Sequence, residues 1–307
     1  MQCMVEKTAN FLFAPQSVAI IASSLYEKWY LGNLRSIKHI DKVRGDLAIQ
    51  FLKIASAKGY QVIVVDGESS KTFHKEIKKI PGVIVLKRRG YKRSPARRLA
   101  LRKASKLFGV RAIIITELEK VSLVADYIPI VVKPILDGDI DIVIPKREEK
   151  SFQATYPDYM YQSEIEGNGM YNEALRINGL LSSSDEDLDA FFGPRVLKNE
   201  PKIVSLFMRQ YHINTMGSLF DKFLYDAEQY SNALYFPIVL ALKKGARVKS
   251  VTIPFIYPET QKVNEEKGQR QLFIEKRKSQ RLAILVELLH FIYYLDKKRQ
   301  SEVRLVR

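Results

Sequence analysis

The sequence is poor in cysteine, histidine and long apolar runs, and it has fewer acidic than basic residues. Its one cysteine, Cys3, excludes an internal disulfide and a cysteine-based zinc site, and it is consistent with a reducing compartment. The apolar runs are too short to span a bilayer, and the first residues do not lead from a basic segment into an apolar core. We therefore expect a cytoplasmic protein without a cleaved targeting segment.

The excess of basic residues indicates an anionic partner. The 307 residues include 50 Lys and Arg against 34 Asp and Glu, which gives a formal net charge of +16. A nucleotide, a nucleic acid and an acidic membrane all suit this charge, and charge alone does not choose among them. With 46% hydrophobic residues, the chain can bury a substantial core as one large α/β domain or two smaller ones.

Strand and helix patterns alternate through the first half of the chain. Apolar runs predict strands at 18–23, 61–65, 83–86, 112–117 and 141–145, with helices between them at 42–58, 71–79 and 122–136 and a basic helix from Ser94-Pro95. The second half is less regular, with strands predicted at 188–197 and 247–254 and helices at 202–211 and 227–244. This order predicts an α/β fold with a doubly wound, mostly parallel sheet flanked by helices.

The run Ala112-Ile113-Ile114-Ile115 ends in two carboxylates, Glu117 and Glu119. If Leu118 stays extended, both carboxylates point the same way, because side chains alternate along a strand. Two such oxygen ligands at the carboxyl end of a central strand suit Mg²⁺ or Mn²⁺. The alternative is that they open the next helix, where acidic residues favour the helix dipole.

A basic block precedes this strand. Residues 87–111 contain eleven Lys and Arg and no acidic residue. Ser94-Pro95 is typical of an N-cap followed by the first helical position, and a helix N-terminus attracts phosphate. We expect Arg93, Arg97 and Arg98 to bind a diphosphate there, although such a block is also compatible with a solvated helix face.

In this order of elements the chain resembles nucleotide-diphosphosugar glycosyltransferases of the GT-A (Rossmann-like) fold. The dolichol-phosphate mannosyltransferases and the glucosyl-3-phosphoglycerate and mannosylglycerate synthases are the groups that it resembles. The resemblance covers about residues 17–260 and rests on Val65-Asp66-Gly67-Glu68-Ser69-Ser70, on the basic helix and on Thr116-Glu117-Leu118-Glu119. It departs from the family pattern in having Glu-x-Glu where the family has Asp-x-Asp.

The resemblance implies a nucleotide-sugar donor site. The end of the first strand, at Ala22, Ser23 and Ser24, would hold the nucleotide, and the turn with Asp66, Glu68 and Ser69 would hold the nucleoside. Glu117 would bind both the donor and the metal, Glu119 would be a second metal ligand, and Arg195 would assist by electrostatics.

The resemblance also implies an acceptor-binding segment. Glu164, Glu166 and Asn168 lie in it, and a general base must come within hydrogen-bond reach of the acceptor hydroxyl. We consider Glu164, Glu166 and Asp187 as catalytic bases. The alternatives are a solvated helix for the two glutamates and an exposed loop for Asp185, Glu186, Asp187 and Asp189.

Two further features lie in the second half of the chain. Some relatives complete metal coordination with a histidine, which makes His212 a candidate ligand, whereas a lone histidine among apolar residues is usually a packed core group. The segment 275–299 predicts one long helix, apolar in its middle and basic at both ends. It could lie in the interface of an anionic membrane, but docking, either on the sheet or on a second subunit, is favoured.

These observations together predict a glycosyltransferase that moves a hexose from a nucleotide-diphosphate sugar to a hydroxyl acceptor. The acceptor class stays open among small molecules, glycans and lipids. We divide the chain into an N-terminal extension (1–16), a nucleotide-sugar-binding half (17–150), an acceptor-binding half of the same domain (151–260) and the C-terminal helix (261–307). A nucleotidyltransferase and a non-catalytic nucleic-acid binder are the alternatives, but Ser23-Ser24-Leu25-Tyr26 is unlike a nucleotidyltransferase loop, and no nucleic-acid-binding motif is present.

Overall fold

The computed structural model describes residues 13–88, 93–211, 234–268 and 270–304. Within these residues one sheet contains the strands β1 Val18–Ser24, β2 Gln61–Asp66, β3 Val83–Lys87, β4 Ala112–Ile115, β5 Ile142–Arg147, β6 Arg195–Lys198 and β7 Val248–Ile253. Their order is β3-β2-β1-β4-β6-β5-β7. Strand β6 runs antiparallel to β4 and β5, and the other neighbouring pairs are parallel.

The central strands are apolar because both faces of the sheet are covered. All four residues of β4 are buried, and its Ile115 pairs with Arg195 of β6. Along β1, Ala19 and Ile21 contribute to the core on one face, whereas Val18 and Ile20 contribute to the core on the other. This alternation is the two-residue period of an extended chain.

The helices of the described residues form the outer layers. Their bounds are α1 Ile40–Ala57, α2 Lys71–Lys78, α3 Arg93–Ala104, α4 Ile128–Leu136, α5 Glu149–Thr155, α6 Asp158–Ile177, α7 Pro201–Met208, α8 Phe236–Lys243, α9 Glu259–Val263 and α10 Arg270–Arg304. Helices α1, α2 and α4 pack on one face of the sheet, and α3, α7 and α8 pack on the other. The predicted α/β class, with a doubly wound and mostly parallel sheet, is therefore confirmed.

Several predicted boundaries differ from the observed ones. Residues 188–197 do not form one strand, because Gly193 has a φ of +103° and Pro194 follows it, so only Arg195–Lys198 is extended after a short 3₁₀ turn at Ala190–Phe192. The basic helix begins at Arg93, so Ser94 is not its N-cap; the Ser94 side chain is fully buried instead. Of the helix predicted at 227–244, the described part contains a helix at Phe236–Lys243; residues 227–233 lie outside the described residues, so the predicted start stays a prediction.

The C-terminal helix α10 spans 35 residues and docks on the protein. Its inner side buries Ile284, Leu288 and Phe291, and the ring of Phe291 stacks on Phe236 of α8 at a centroid distance of 4.2 Å. No helix in the described ranges combines the length and apolarity required to cross a membrane. The structure shows this helix docked within the chain, against α6 and α8.

Candidate active site

A cleft lies where the carboxyl ends of the parallel strands meet the start of β6. Its floor comes from the residues that follow β4, and its walls come from α6, α9 and the first turns of α10. Glu117, Glu119, Glu164 and Glu265 all line it, together with arginines and lysines from α1, from α10 and from the turn after β4. Since ligands bind outside the carboxyl ends of strands in such sheets, this cleft is the candidate active site.

Glu117 is the carboxylate that the fold leaves most available at the end of β4. Its Oε1 lies 3.6 Å from Arg97 Nη2, and its Oε2 is enclosed without a hydrogen-bond partner among the described residues. A Cβ atom at Gly193 would lie 2.8 Å from Oε2 and 2.9 Å from Oε1. The glycine therefore makes room for this carboxylate, and an enclosed oxygen without a donor favours a ligand that supplies positive charge or a proton.

Glu119 has a different environment, because Leu118 is not extended. The chain turns directly after β4, with the Lys120 amide donating to the Glu117 carbonyl at 3.3 Å and the Val121 amide donating to the Glu119 carbonyl at 2.9 Å. The buried Glu119 carboxylate accepts a hydrogen bond from the Tyr26 hydroxyl at 3.1 Å, and the same oxygen lies 2.7 Å from Arg44 Nη2. The expectation of two carboxylates on one extended face is therefore wrong.

The charges around Glu119 stabilise one another. Glu119 raises the pKa of Arg44, so Arg44 stays protonated. Burial, and then the negative charge of Glu119, raise the pKa of Tyr26 well above its usual value, so the phenol stays a neutral donor. Glu119 thus fixes α1 and the loop after β1 against the turn after β4.

The turn after β2 is organised around the buried Asp66. Its Oδ1 accepts hydrogen bonds from the hydroxyls of Ser24 at 2.7 Å and of Ser69 at 2.6 Å, and its Oδ2 lies 3.3 Å from His74 Nδ1. The predicted nucleoside residues Ser24, Asp66 and Ser69 are therefore brought together across two neighbouring strands. Ala22 and Ser23 lie beside them in β1, and Glu68 is exposed in the turn with a φ of +74°.

At the turn after β2, the backbone of Gly67 lies close to the side chain of Arg88. The Gly67 amide donates to the Ser24 carbonyl at 2.8 Å, and a Cβ atom at Gly67 would lie 2.9 Å from Arg88 Cδ. Arg88, Arg98 and Arg102 line a second hollow between β3 and α3, so basic side chains continue from the turn along the helix. Arg93 begins α3, and its side chain lies outside the described part of the structure.

Behind the cleft lies a buried ion-pair network centred on Arg147, at the end of β5. Its Nε and Nη2 each donate to the Asp189 carboxylate at 2.7 Å, and its Nη1 donates to Glu164 Oε2 at 2.5 Å. The other oxygen of Glu164 accepts from Arg277 of α10 at 3.0 Å. Both oxygens of Glu164, a predicted base, are therefore occupied by arginines.

The remaining predicted residues lie apart from one another. Glu166 pairs with Arg281 at the rim, and Asp187 pairs with Arg176 at 2.6 Å in an exposed position that does not line the cleft. Arg195 is fully buried and donates to the carbonyls of Pro194 at 2.8 Å and Ala190 at 2.7 Å, so it supports the turn that precedes β6. His212 lies outside the described residues.

The cleft is strongly cationic on the side of α10. Lys276, Arg277 and Arg281 line it from this helix, and Lys120 lines it from the turn after β4. Burial lowers the pKa of Lys120, which lies with its Nζ 4.7 Å from the ring centroid of Phe192. Positive groups facing Glu117 make the cleft suited to a ligand with several negative charges.

Sequence reasoning missed the contribution of α9 to this cleft. Gln261, Glu265 and the preceding Tyr257 line it, and Glu265 is 3% exposed. The four-residue spacing of Gln261 and Glu265 puts them on one face of a helix, which was the signal available in the sequence. The segment around Gln261 and Glu265 is short and has no apolar pattern, so its sequence does not show which face of the helix is buried.

The residues fit a divalent ion through Glu117. Its enclosed Oε2 has no donor in the described ranges, and Mg²⁺ commonly takes one or two carboxylates and completes its shell with water and substrate phosphates. Glu119 contributes less to such a site because Arg44 and Tyr26 hold its Oε1. Among the described residues no group of three His, Cys, Asp or Glu side chains could hold a metal ion.

Comparisons with known proteins give a likeness of fold. No family model matches the sequence, and no curated protein is a significant match. A glucosyl-3-phosphoglycerate synthase from Mycobacterium tuberculosis, solved with Mn²⁺, uridine diphosphate and phosphoglyceric acid, is 11% identical, with 88% of this chain and 79% of that chain covered and a TM-score of 0.44.

Two other solved structures are similar to a comparable degree. A 4-diphosphocytidyl-2C-methyl-D-erythritol synthase from Anaerococcus prevotii is 11% identical, with 84% of this chain and 97% of that chain covered and a TM-score of 0.43. A protein described as a nucleotide-diphospho-sugar transferase from Desulfovibrio desulfuricans is 10% identical, with 89% and 98% covered and a TM-score of 0.41.

Proposed function

We propose that this protein transfers a hexose from a nucleotide-diphosphate sugar to a hydroxyl acceptor, assisted by Mg²⁺ or Mn²⁺. The observation that carries the proposal is Glu117: it stands at the end of the central strand β4 with one enclosed oxygen lacking a donor among the described residues, in a cleft lined by cations. A metal-bound diphosphate would supply the missing positive charge to Glu117 and take up the positive charge of the cleft.

In this proposal the nucleoside lies at the edge of the sheet formed by β1 and β2. The carboxylate of Asp66 accepts from Ser24 and Ser69, so it holds the turn in shape and leaves backbone groups of the turn, with Glu68, for the ligand. Gly67 lets the chain pass close to Arg88. The donor would extend from this turn towards Glu117, with Ala22 and Ser23 beneath it.

The diphosphate lies next to Glu117 in this arrangement. A bound divalent ion would neutralise the charge that develops on the leaving diphosphate. Arg97 is 3.6 Å from Glu117 and is buried, so it is positioned to stabilise the same charge at fixed geometry. Arg93 and Arg98 lie on the same helix as Arg97 and would add to the positive potential.

Glu164 and Glu166 are best assigned to holding α10 over the cleft rather than to proton transfer. Both oxygens of Glu164 accept from arginines, and Glu166 pairs with Arg281 of α10. These contacts bring Lys276, Arg277 and Arg281 to the wall opposite β4. The helix would then screen the reacting atoms from water.

The test is thermal unfolding with UDP-glucose, GDP-mannose and UDP-N-acetylglucosamine, each with and without Mn²⁺. A ligand that binds only the folded state at 100 times its Kd adds about 2.7 kcal/mol to the free energy of unfolding. With an unfolding entropy of about 2.1 cal/mol/K per residue, a chain of this length gains about 4 °C in Tm. We expect such a shift for at least one sugar nucleotide, and we expect Mn²⁺ to increase it.

Glu117→Gln is the decisive variant, and Glu186→Gln is its matched control because Glu186 is exposed and pairs with Lys146 at the surface. The Mn²⁺-dependent part of the shift should disappear in Glu117→Gln and persist in Glu186→Gln. A shift with CTP or UTP plus a sugar phosphate, and none with sugar nucleotides, would instead identify a nucleotidyltransferase. A panel without shifts, together with salt-sensitive binding of nucleic acid, would refute the proposal in favour of a basic nucleic-acid binder.

A further inference from the structure

We propose that Glu265, in the π-helical turn Asn264–Gly268 that follows α9, is the general base that receives the acceptor hydroxyl. This inference rests on the proposed function, since it assigns the acceptor side of the same cleft. Four glutamates line the cleft, and they differ in how many of their carboxylate oxygens accept a hydrogen bond.

Two of the four glutamates are occupied by protein groups. Glu164 accepts from an arginine at each oxygen, and the Oε1 of Glu119 is held by Arg44 and Tyr26. The other two, Glu117 and Glu265, each have an enclosed Oε2 with no hydrogen-bond partner in the part of the chain that the structure describes. Glu117 follows the strand that faces the diphosphate, which leaves Glu265 for the second substrate.

The orientation of Glu265 is fixed by its neighbours. Its Oε1 accepts from the Tyr257 hydroxyl at 3.0 Å and from Gln261 Nε2 at 3.2 Å. Because the Gln261 amide donates to Glu265, its own Oε1 faces away from that bond, and this oxygen is also enclosed without a partner among the described residues. Both residues line the cleft, so α9 and the turn after it contribute two enclosed acceptor oxygens, from Gln261 and Glu265, that a ligand with donors would satisfy.

Hydroxyl groups are the donors that suit these two oxygens. A buried acceptor without a donor is unfavourable, and a substrate hydroxyl would satisfy it on binding. The titratable groups that surround Glu265 come from several packed elements: the guanidinium groups of Arg44 from α1 and Arg277 from α10, and the phenol hydroxyls of Tyr159 and Tyr257.

The step balances without a further reactant. The acceptor hydroxyl gives its proton to Glu265 Oε2 as its oxygen forms a bond to the anomeric carbon of the hexose. The bond between that carbon and the diphosphate oxygen breaks, and the electron pair leaves with the nucleoside diphosphate. Glu265 then releases the proton to solvent, and Gln261 Oε1 holds a second hydroxyl so that the acceptor oxygen keeps its direction.

The experiment measures release of nucleoside diphosphate from UDP-glucose and GDP-mannose in the presence of Mn²⁺, with glycerol, glucose and water as acceptors, alongside calorimetric binding of the same sugar nucleotides. Glu265→Gln keeps the shape of the side chain and an acceptor for Tyr257, but it cannot take a proton. We expect kcat to fall by about 10²–10⁴-fold, with the Kd of the sugar nucleotide changed less than threefold. The neighbouring Glu266→Gln should match the wild type in both measurements.

The outcomes separate this inference from the proposed function. If the wild type binds no sugar nucleotide, the proposed function fails and Glu265 loses its role with it. If it binds one but uses none of the hydroxyl acceptors, the donor site stands and the role of Glu265 as the base for an acceptor hydroxyl is overturned. If the wild type turns over and Glu265→Gln does so at the same kcat, only the inference is overturned. A variant that loses binding and urea stability together, with kcat retained at saturation, would show a packing role and would also overturn the inference.

Discussion

The buried Arg147 should be the most sensitive single position for stability. Its side chain has no exposed surface, and it donates three hydrogen bonds, two to Asp189 and one to Glu164. Its guanidinium also lies 3.6 Å from the ring centroid of Phe152. Arg147→Met keeps most of the apolar contact and removes only the charge and the donors.

The expected loss of stability in Arg147→Met follows from the carboxylate charge that stays buried without its cationic partner. Asp189 keeps the Arg147 backbone amide at 3.0 Å and Asn168 at 2.7 Å, but its negative charge is buried without a counterion. Breaking a buried ion pair on one side typically costs about 3–5 kcal/mol. At about 2.1 cal/mol/K of unfolding entropy per residue, this corresponds to a Tm lower by about 5–8 °C.

Urea unfolding at pH 7 measures the change, and Arg176→Met is the matched control. Arg176 pairs with Asp187 at 2.6 Å, but the two side chains are 27% and 55% exposed. A pair with that exposure is worth about 1 kcal/mol or less because water screens it. Equal losses in the two variants, or a loss below about 1 kcal/mol for Arg147→Met, would refute the argument that burial makes the Arg147 network energetically dominant.

Three further predictions concern acid stability, a lysine and a glycine. Burial raises the pKa of Asp189, but the ion pair with Arg147 outweighs burial and lowers it. The stabilisation is therefore complete above the unfolded pKa of about 3.9 and is lost as pH falls through the lower folded pKa. In urea unfolding from pH 6 to 2.5, the free energy of unfolding should fall less steeply with pH in Asp189→Asn than in the wild type, and equal slopes would contradict this. Burial also lowers the pKa of Lys120. The rate of its acetylation, measured by mass spectrometry as a function of pH, should therefore have a midpoint below about 10.4, the usual lysine pKa. A midpoint at or above that value would contradict the lowered pKa. Gly193→Ala should lower the free energy of unfolding by about 1–3 kcal/mol and weaken sugar-nucleotide binding, because its Cβ would lie 2.8 Å from a Glu117 oxygen at a φ of +103°. The control Gly179→Ala, at a positive φ in open space, should leave binding unchanged. Equal binding by the two variants would contradict the role given to Gly193.

Local patterns in the sequence were sufficient for the architecture. The apolar runs at 18–23, 61–65 and 112–115 have the composition of strands covered on both faces, and each is a strand of the observed sheet. The apolar stretch of the C-terminal segment predicted a long helix, and α10 is that helix. Such features depend on residues within one or two turns of each other, so periodicity alone reveals them.

The placement of the candidate site was only partly predictable. The residues Ser24 and Asp66 end neighbouring parallel strands, and the sequence order suggested that they meet; they do, through a hydrogen bond of 2.7 Å. Glu117 and Glu119 could not be told apart in this way. Their difference depends on a turn at Leu118 and on Arg44 of α1, which pairs with Glu119 only among the described residues.

The sequence by itself determined the approximate positions of most strands and helices and the basic block, because these depend on the local spacing of apolar and charged residues. Only the tertiary structure decided which carboxylates are available. Glu164 meets Arg277 across 113 residues of sequence, and Glu265 enters the cleft because α9 packs on α1. The physical reason is that the availability of a carboxylate depends on the donors around it, and those donors arrive from elements that only the packing of the whole chain brings together.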